Sequence, residues 1–214
     1  KKMNLKNLFV AHCKKNNYEI NPSQIKVVET LKDFQEKNFG QTFLSKIFKK
    51  KNYKLGFYLV GEVGVGKTMI LNFFFNVLKI KKLRLHFNEF MIMFHDFMFQ
   101  NKDKKIEHFV LELNKKAEII YFDEFQVTNI VDAMILGKLF KTIFDKKIKV
   151  IFSSNIKIKD LYKDGLQREQ FIPFIKILEK NCIEEELLID EDYRLTQNED
   201  LNRFLSPINE STNF

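Results

Sequence analysis

Eight consecutive residues constrain this chain more than any others: Gly61-Glu62-Val63-Gly64-Val65-Gly66-Lys67-Thr68. They fit G-x-x-x-x-G-K-[ST] with no departure, the pattern of a loop that cradles phosphates. The flanks agree. The apolar run Gly56-Phe57-Tyr58-Leu59-Val60 leads in as a buried strand, and Thr68 to Leu78 follows with the composition of a helix. Phosphate chemistry explains the residue types. Gly64 and Gly66 let backbone N–H groups wrap an anion with no Cβ in the way. The helix N-terminus behind them adds positive partial charge. The nucleotide-binding set is Gly61, Glu62, Val63, Gly64, Val65, Gly66, Lys67, Thr68 and Met69. In it Lys67 is expected to reach the β- and γ-phosphoryl oxygens, and the Thr68 hydroxyl to bind Mg2+.

Two further strand ends carry polar residues. Ile119-Ile120-Tyr121-Phe122 runs into Asp123-Glu124, and Ile148-Lys149-Val150-Ile151-Phe152 runs into Ser153-Ser154-Asn155. Ligands of open α/β sheets sit at the carboxyl ends of the strands. Asp123 is therefore the candidate to hold Mg2+ through water, and Glu124 the candidate general base for an attacking water. Asn155 is placed to orient that water or to sense the γ-phosphate. As bare strand ends, Asp123-Glu124 would also serve as a helix cap and Asn155 as a turn. Two other classes of phosphate chemistry fit less well. There is no N-K-x-D guanine motif, and the four arginines are too few to clamp a second phosphoryl substrate.

The remaining segments alternate strand with helix. Leu83 to Phe87 reads as a strand and Asn88 to Gln100 as a helix whose Met91, Phe94, Phe97 and Met98 face the core. Ile106 to Lys115 and Ile130 to Phe144 read as helices, Gln167 to Leu178 as another, and Glu186 to Ile189 as the last strand. His86 and His95 lack metal-ligand spacing and read as structural. Five strands alternating with helices define a three-layer α/β core around a mostly parallel sheet. Asn21-Pro22-Ser23 opens a helix before it, with Ile25, Val28, Leu31 and Phe34 at helical spacing. The expected division is an N-terminal arm over 1–20, the nucleotide-binding domain over 21–195, and a linker or truncated lid over 196–214.

Net charge is +8, the usual sign of a nucleic-acid or membrane binder. Yet arginine occurs only at Arg84, Arg168, Arg194 and Arg203, and a lysine-dominated surface rich in Phe, Ile and Asn reads as codon bias. Arginine is the residue that reads bases and phosphates by its fork of donors. A protein therefore ranks above nucleic acid as partner, and any membrane contact, for instance through Lys49-Lys50-Lys51, would be peripheral. No apolar run reaches the length of a membrane span. Cys13 and Cys182 are far apart and match no metal or redox spacing, so a reducing, cytoplasmic setting is expected. Arg84 reads as a side chain snorkelling beside a strand.

The motifs together resemble one family more closely than generic phosphate-loop proteins. Gly-Val-Gly-Lys-Thr-Met-Ile-Leu (64–71), His86 to Met91, Asp123-Glu124-Phe125-Gln126-Val127-Thr128, Asp132 to Leu136, Asp160 to Arg168 and Phe171 to Ile175 are similar to the ZapE family of AAA-type ATPases, which has mitochondrial relatives. The resemblance spans roughly residues 21–195. It implies an AAA-type core that hydrolyses ATP with Mg2+ and couples this to a protein partner. In bacterial members that partner is the tubulin-like division-ring protein FtsZ. It also implies a homo-oligomer when ATP is bound, with an arginine finger reaching a neighbour's site. Arg168 is the first candidate for that finger and Arg194 the second, while a salt bridge to Asp164 or Glu169 is the structural alternative for Arg168. Two departures stand out. Asn21 replaces the usual Asp three residues before Gln24, a side chain whose amide matches an adenine edge or simply belongs to a helix face. Family members also continue well past the last strand, so a lid with a second sensor is not expected here. A nucleotide-gated switch that hydrolyses slowly, and a DnaA- or helicase-loader-like DNA-binding ATPase, are the competing readings.

Overall fold

The computed structural model describes residues 4–40, 53–128 and 130–188. Lys49-Lys50-Lys51, Arg194 and the 196–214 segment lie outside them. Five strands, β1 (Gly56–Val60), β2 (Lys82–His86), β3 (Ile119–Asp123), β4 (Lys149–Ser154) and β5 (Cys182–Glu186), form one sheet in the order β2-β3-β4-β1-β5. All four neighbouring pairs are parallel. The α/β three-layer expectation holds, and β1, with the phosphate loop behind it, sits between β4 and β5.

Strand periodicity of two decides what each face packs against. Tyr58, Val60, Ile120, Phe122, Val150 and Phe152 face one layer, built by α4 (Phe87–Gln100), α5 (Ile106–Lys116), α6 (Ile130–Asp145) and α7 (Arg168–Asn181). Phe57, Leu59, Ile119, Tyr121 and Ile151 face the other, built by α1 (Leu5–Lys15), α2 (Pro22–Phe39) and α3 (Lys67–Val77). Strands buried on both faces read as continuous apolar runs, as β1 and β3 do.

Phenylalanine does most of the filling. Phe140 of α6 is fully buried and meets Phe90, Phe122, Phe152 and Phe174 at centroid separations of 6.3, 5.8, 5.7 and 5.2 Å. Truncating it leaves a cavity that neighbouring rings cannot close by rotating. Phe140→Ala is expected to cost about 3–5 kcal/mol, read as a fall in the urea midpoint at unchanged slope. A loss under about 1 kcal/mol would mean the site collapses freely.

Two elements differ from the sequence reading. Residues 5–15, expected within a polar arm, form helix α1, capped by the Asn4 side chain, which accepts from the Lys6 N–H. Leu5, Phe9 and Cys13 share one face and are buried, and Phe9 meets Phe73 of α3 edge-on at 5.2 Å. Their i, i+4, i+8 spacing was visible but diluted by Lys, Asn and His. The last strand begins at Cys182 rather than Glu186. Its three glutamates argue against a strand, but each has a partner. Glu184 accepts from the Ile158 N–H at 2.8 Å, Glu185 from the Thr30 hydroxyl at 3.1 Å, and Glu186 pairs with Lys157 at 2.7 Å. β5 is a sheet edge, where such side chains are tolerated.

The helix opened by Asn21-Pro22-Ser23 is as expected. The Asn21 side chain accepts from the Ser23 N–H at 2.8 Å, and the Gln24 side chain accepts from the Asn21 N–H, closing a capping box.

Candidate nucleotide-binding site

The loop from Gly61 to Gly66 joins β1 to α3 at the carboxyl end of the sheet. Gly64 and Gly66 take φ of 84° and 95°, the left-handed region that side chains disfavour. At Gly64 the need is purely conformational, since a Cβ there would touch nothing within 4 Å. At Gly66 a Cβ would also meet the Gln24 amide nitrogen at 3.0 Å. The loop curls around the mouth of a cavity of about 500 Å³. Val63, Gly64, Gly66, Lys67, Thr68 and Met69 line it together with Glu124 and Asn155.

Lys67 is buried, and its ammonium donates to the Gly61 carbonyl at 2.7 Å, the Glu62 carbonyl at 2.6 Å and Asn155 Oδ1 at 2.8 Å. All three protons are committed. Burial pushes its pKa below the ordinary range, and the nearby Asp123 carboxylate partly opposes that. The contact ties the loop lysine directly to the Asn155 amide at the end of β4, two groups that the sequence reading placed in separate motifs.

Asp123 and Glu124 diverge because they are adjacent. Asp123 ends β3 on the same face as Tyr121 and α3, whereas Glu124 leaves the strand with a φ of 53° and lines the cavity. A left-handed non-glycine residue costs of order 1 kcal/mol and is held by its surroundings. Here the holder is Ser153. Its hydroxyl accepts from the Glu124 N–H at 3.1 Å and donates to Asp123 Oδ1 at 2.8 Å, and its carbonyl accepts from the Phe125 N–H at 2.7 Å. One residue of β4 therefore orients both acidic residues.

Asp123 has two more donors. The Tyr121 hydroxyl reaches Oδ1 at 3.0 Å, and the Arg84 guanidinium pairs with Oδ2. Burial by itself would raise the carboxyl pKa. The hydrogen bonds from Arg84, Ser153 and Tyr121 outweigh it and hold the group below the usual carboxylate range. Arg84 corrects the sequence reading. It does not snorkel beside its strand but crosses the Tyr121 ring, 5.2 Å from its centroid, to reach the acidic residue of the next strand. The register Arg84↔Tyr121 and His86↔Asp123 makes this reach available, and sequence alone does not give register. Ser153 and Tyr121 were missed for the same reason.

The donor set fits Mg2+. That ion takes oxygen ligands, keeps several waters and needs one or two carboxylates beside the substrate phosphates. Thr68 lines the cavity, and Asp123, whose carboxyl is held below the usual range, is close enough to act on the neighbouring Lys67. Among the described residues no cluster of three or more His, Cys, Asp or Glu offers an all-protein metal cage.

The remaining candidates are placed as follows. Gln24 sits against the loop, donating from its amide to the Val65 carbonyl at 3.4 Å while accepting from the Asn21 N–H, so both ends of its amide serve the backbone. Arg168 opens α7 away from the cavity lining, and donates to the Lys159 carbonyl at 2.8 Å with its Nε buried and unpartnered. Neither Asp164 nor Glu169 is its partner among the ion pairs of the described residues. His95 Nε2 lies 2.7 Å from Asp132 Oδ1, joining α4 to α6.

A parallel sheet of this order, with a glycine loop running into a helix and acidic residues ending the third strand, defines a P-loop nucleotide-binding protein. The sequence model of the AFG1-like ATPases matches residues 3–213, and the chain belongs to that family. It is 35% identical over 160 residues to the cell division protein ZapE of Escherichia coli strain K12, covering 73% of this chain and 43% of that protein. It is 38% identical over 141 residues to lactation elevated protein 1 homolog B of Danio rerio, covering 59% of this chain and 28% of that one. The chain thus spans less than half the length of these curated relatives. Its fold is similar to that of AMPPCP-bound DnaA from Aquifex aeolicus, with a TM-score of 0.57 at 17% identity, over 91% of this chain and 56% of that one. Among the described residues no helix is long and apolar enough to cross a membrane.

Proposed function

We propose that this chain is a cytoplasmic Mg2+-dependent ATPase of the ZapE type, which hydrolyses ATP to ADP and phosphate and uses the cycle to remodel or regulate a protein partner. The observation that carries this is the cavity lined together by Lys67, Thr68, Glu124 and Asn155 at the carboxyl ends of β1, β3 and β4. ATP phosphates entering the loop offer Lys67 charged oxygens in place of the two carbonyls it now engages. Asn155 then stays beside the γ-phosphate and orients the attacking water. Glu124 accepts that water's proton. The Thr68 hydroxyl and Asp123 would hold the metal, with Ser153 orienting Asp123 and Glu124 relative to one another. Held there, the metal would supply neutralisation of charge developing on the phosphoryl oxygens.

The name of the Escherichia coli relative supports a role in bacterial cell division, with FtsZ as the proposed partner. Arg168 is proposed as the finger of a neighbouring subunit in an ATP-bound homo-oligomer. Its place outside its own chain's cavity supports a role in trans. ATP hydrolysis per subunit across a wide range of protein concentrations, with Arg168→Ala alongside, tests this. Specific activity should climb with concentration in the wild type and fall ~10³-fold or more in the variant, the scale of arginine-finger losses in related chemistry. Flat, very low activity in both would replace the oligomeric reading with a nucleotide-gated switch.

A further inference from the structure

Arg84, paired with Asp123, is the strongest feature that the proposed chemistry does not use. The pair joins two strands, its carboxylate is 6% exposed and its guanidinium 43% exposed. Both oxygens of Asp123 are engaged: Tyr121 and Ser153 donate to Oδ1, Arg84 to Oδ2. A buried carboxylate needs this much compensation when no cation is near. A divalent cation at Thr68 and Asp123 brings compensation of its own, and then two positive groups face one carboxylate.

We propose that Arg84 is a positioning residue that acts as the counter-ion of Asp123 in the metal-free site and sets the Mg2+ concentration at which the site fills. This rests on the ATPase reading above, because it assumes that Asp123 serves the metal. Tyr121 supports the assignment. Its ring carries the guanidinium on one face while its hydroxyl holds Oδ1, so the carboxylate keeps its orientation as Arg84 relaxes its grip. The position of Arg84 on β2, at the edge of the sheet and half open to solvent, gives the side chain room to do so.

The distinguishing measurement is the Mg2+ midpoint for retention of fluorescently tagged ADP, taken beside ADP affinity in EDTA. For Arg84→Gln the midpoint should fall by about tenfold, since a like charge is removed from beside the cation, while affinity in EDTA stays at the wild-type value. A residue with only a structural role would move both together. In EDTA the variant should unfold at a lower temperature than the wild type, and Mg2+ with ADP should raise its midpoint by more than it raises the wild type's. Arg84→Lys keeps the charge and should stay within about twofold of the wild-type Mg2+ midpoint. It also serves if the glutamine variant does not fold, because a tenfold fall in Arg84→Lys would overturn competition by charge. Lys81→Gln removes an exposed charge next to the same strand without touching Asp123, and should leave the midpoint unmoved. An Arg84→Gln midpoint equal to or above the wild type's overturns the inference but leaves the ATPase reading intact. Failure of the wild type to retain ADP at any Mg2+ concentration overturns both.

Discussion

Lys67→Ala should lose at least about 100-fold in affinity for Mg2+·ATP while the nucleotide-free protein melts within a few degrees of the wild type. The first half follows from the charged hydrogen bonds an ammonium makes to phosphate oxygens, each worth about 1.5–3 kcal/mol. The second half follows from the cost of Lys67 in the free protein. Burial lowers its pKa, so the protonated side chain is held at a loss at neutral pH, and its three hydrogen bonds mainly offset that loss. Removing it gives up the bonds and the penalty together. The sign of the pH dependence is fixed. A lysine whose folded pKa lies below its ordinary 10.5 carries its full penalty below that lowered pKa, and the penalty is relieved as pH rises from there to 10.5. Affinity for ATP should decline over the same interval, as the loop loses its charge. Equilibrium binding of ATP from neutral to alkaline pH, beside thermal melts without nucleotide, checks both halves. An affinity within about fivefold of the wild type would remove Lys67 from the phosphate site, since one charged hydrogen bond alone is worth more than that.

What the sequence disclosed and what it hid divide along physical lines. The phosphate loop was legible because its glycines, lysine and threonine act through local backbone geometry, and because the apolar β1 run needs no partner to be recognised. Asp123-Glu124 and Asn155 were legible because polar residues ending an apolar strand are conspicuous. The contacts between these segments were not, because they depend on which strands are neighbours and in what register. Ser153 looks like any serine until β4 lies beside β3, and Arg84 looks like a surface arginine until it pairs opposite Tyr121. Helix α1 was hidden differently. Three buried residues, Leu5, Phe9 and Cys13, suffice when α2 and α3 supply the rest of a core, but the lysine, asparagine and histidine between them blur their spacing in the sequence. The β5 strand was misplaced because local hydrophobicity favours residues 186–189, whereas the sheet selects Cys182 and Ile183, which meet Gly56 and Phe57 in register. A Cβ at Gly56 would clash with the Cys182 sulfur, so that glycine is what lets the edge strand approach.

Glu124→Gln separates binding from chemistry more cleanly than any other change at this site. Glutamine keeps the size of the side chain and the backbone N–H that donates to Ser153, so the left-handed turn and the Asp123 geometry should survive. The nucleotide should bind as in the wild type, because Lys67, Thr68 and the loop amides are untouched. The amide cannot take a proton from water, and loss of a general base removes ~10²–10⁴-fold of rate. Phosphate release should therefore fall by that factor at unchanged ATP affinity. The same variant then reports on assembly. If a neighbour's Arg168 completes the site only while the γ-phosphate is present, Glu124→Gln should accumulate the ATP-bound oligomer that the wild type dismantles by hydrolysis. Adding Arg168→Ala to it should weaken that oligomer without weakening ATP binding by the single subunit. Turnover by Glu124→Gln at the wild-type rate would strip Glu124 of its role as base. Asn155 or a phosphate oxygen would then have to order the water, and the strained turn at residue 124 would be left to serve Asp123 alone.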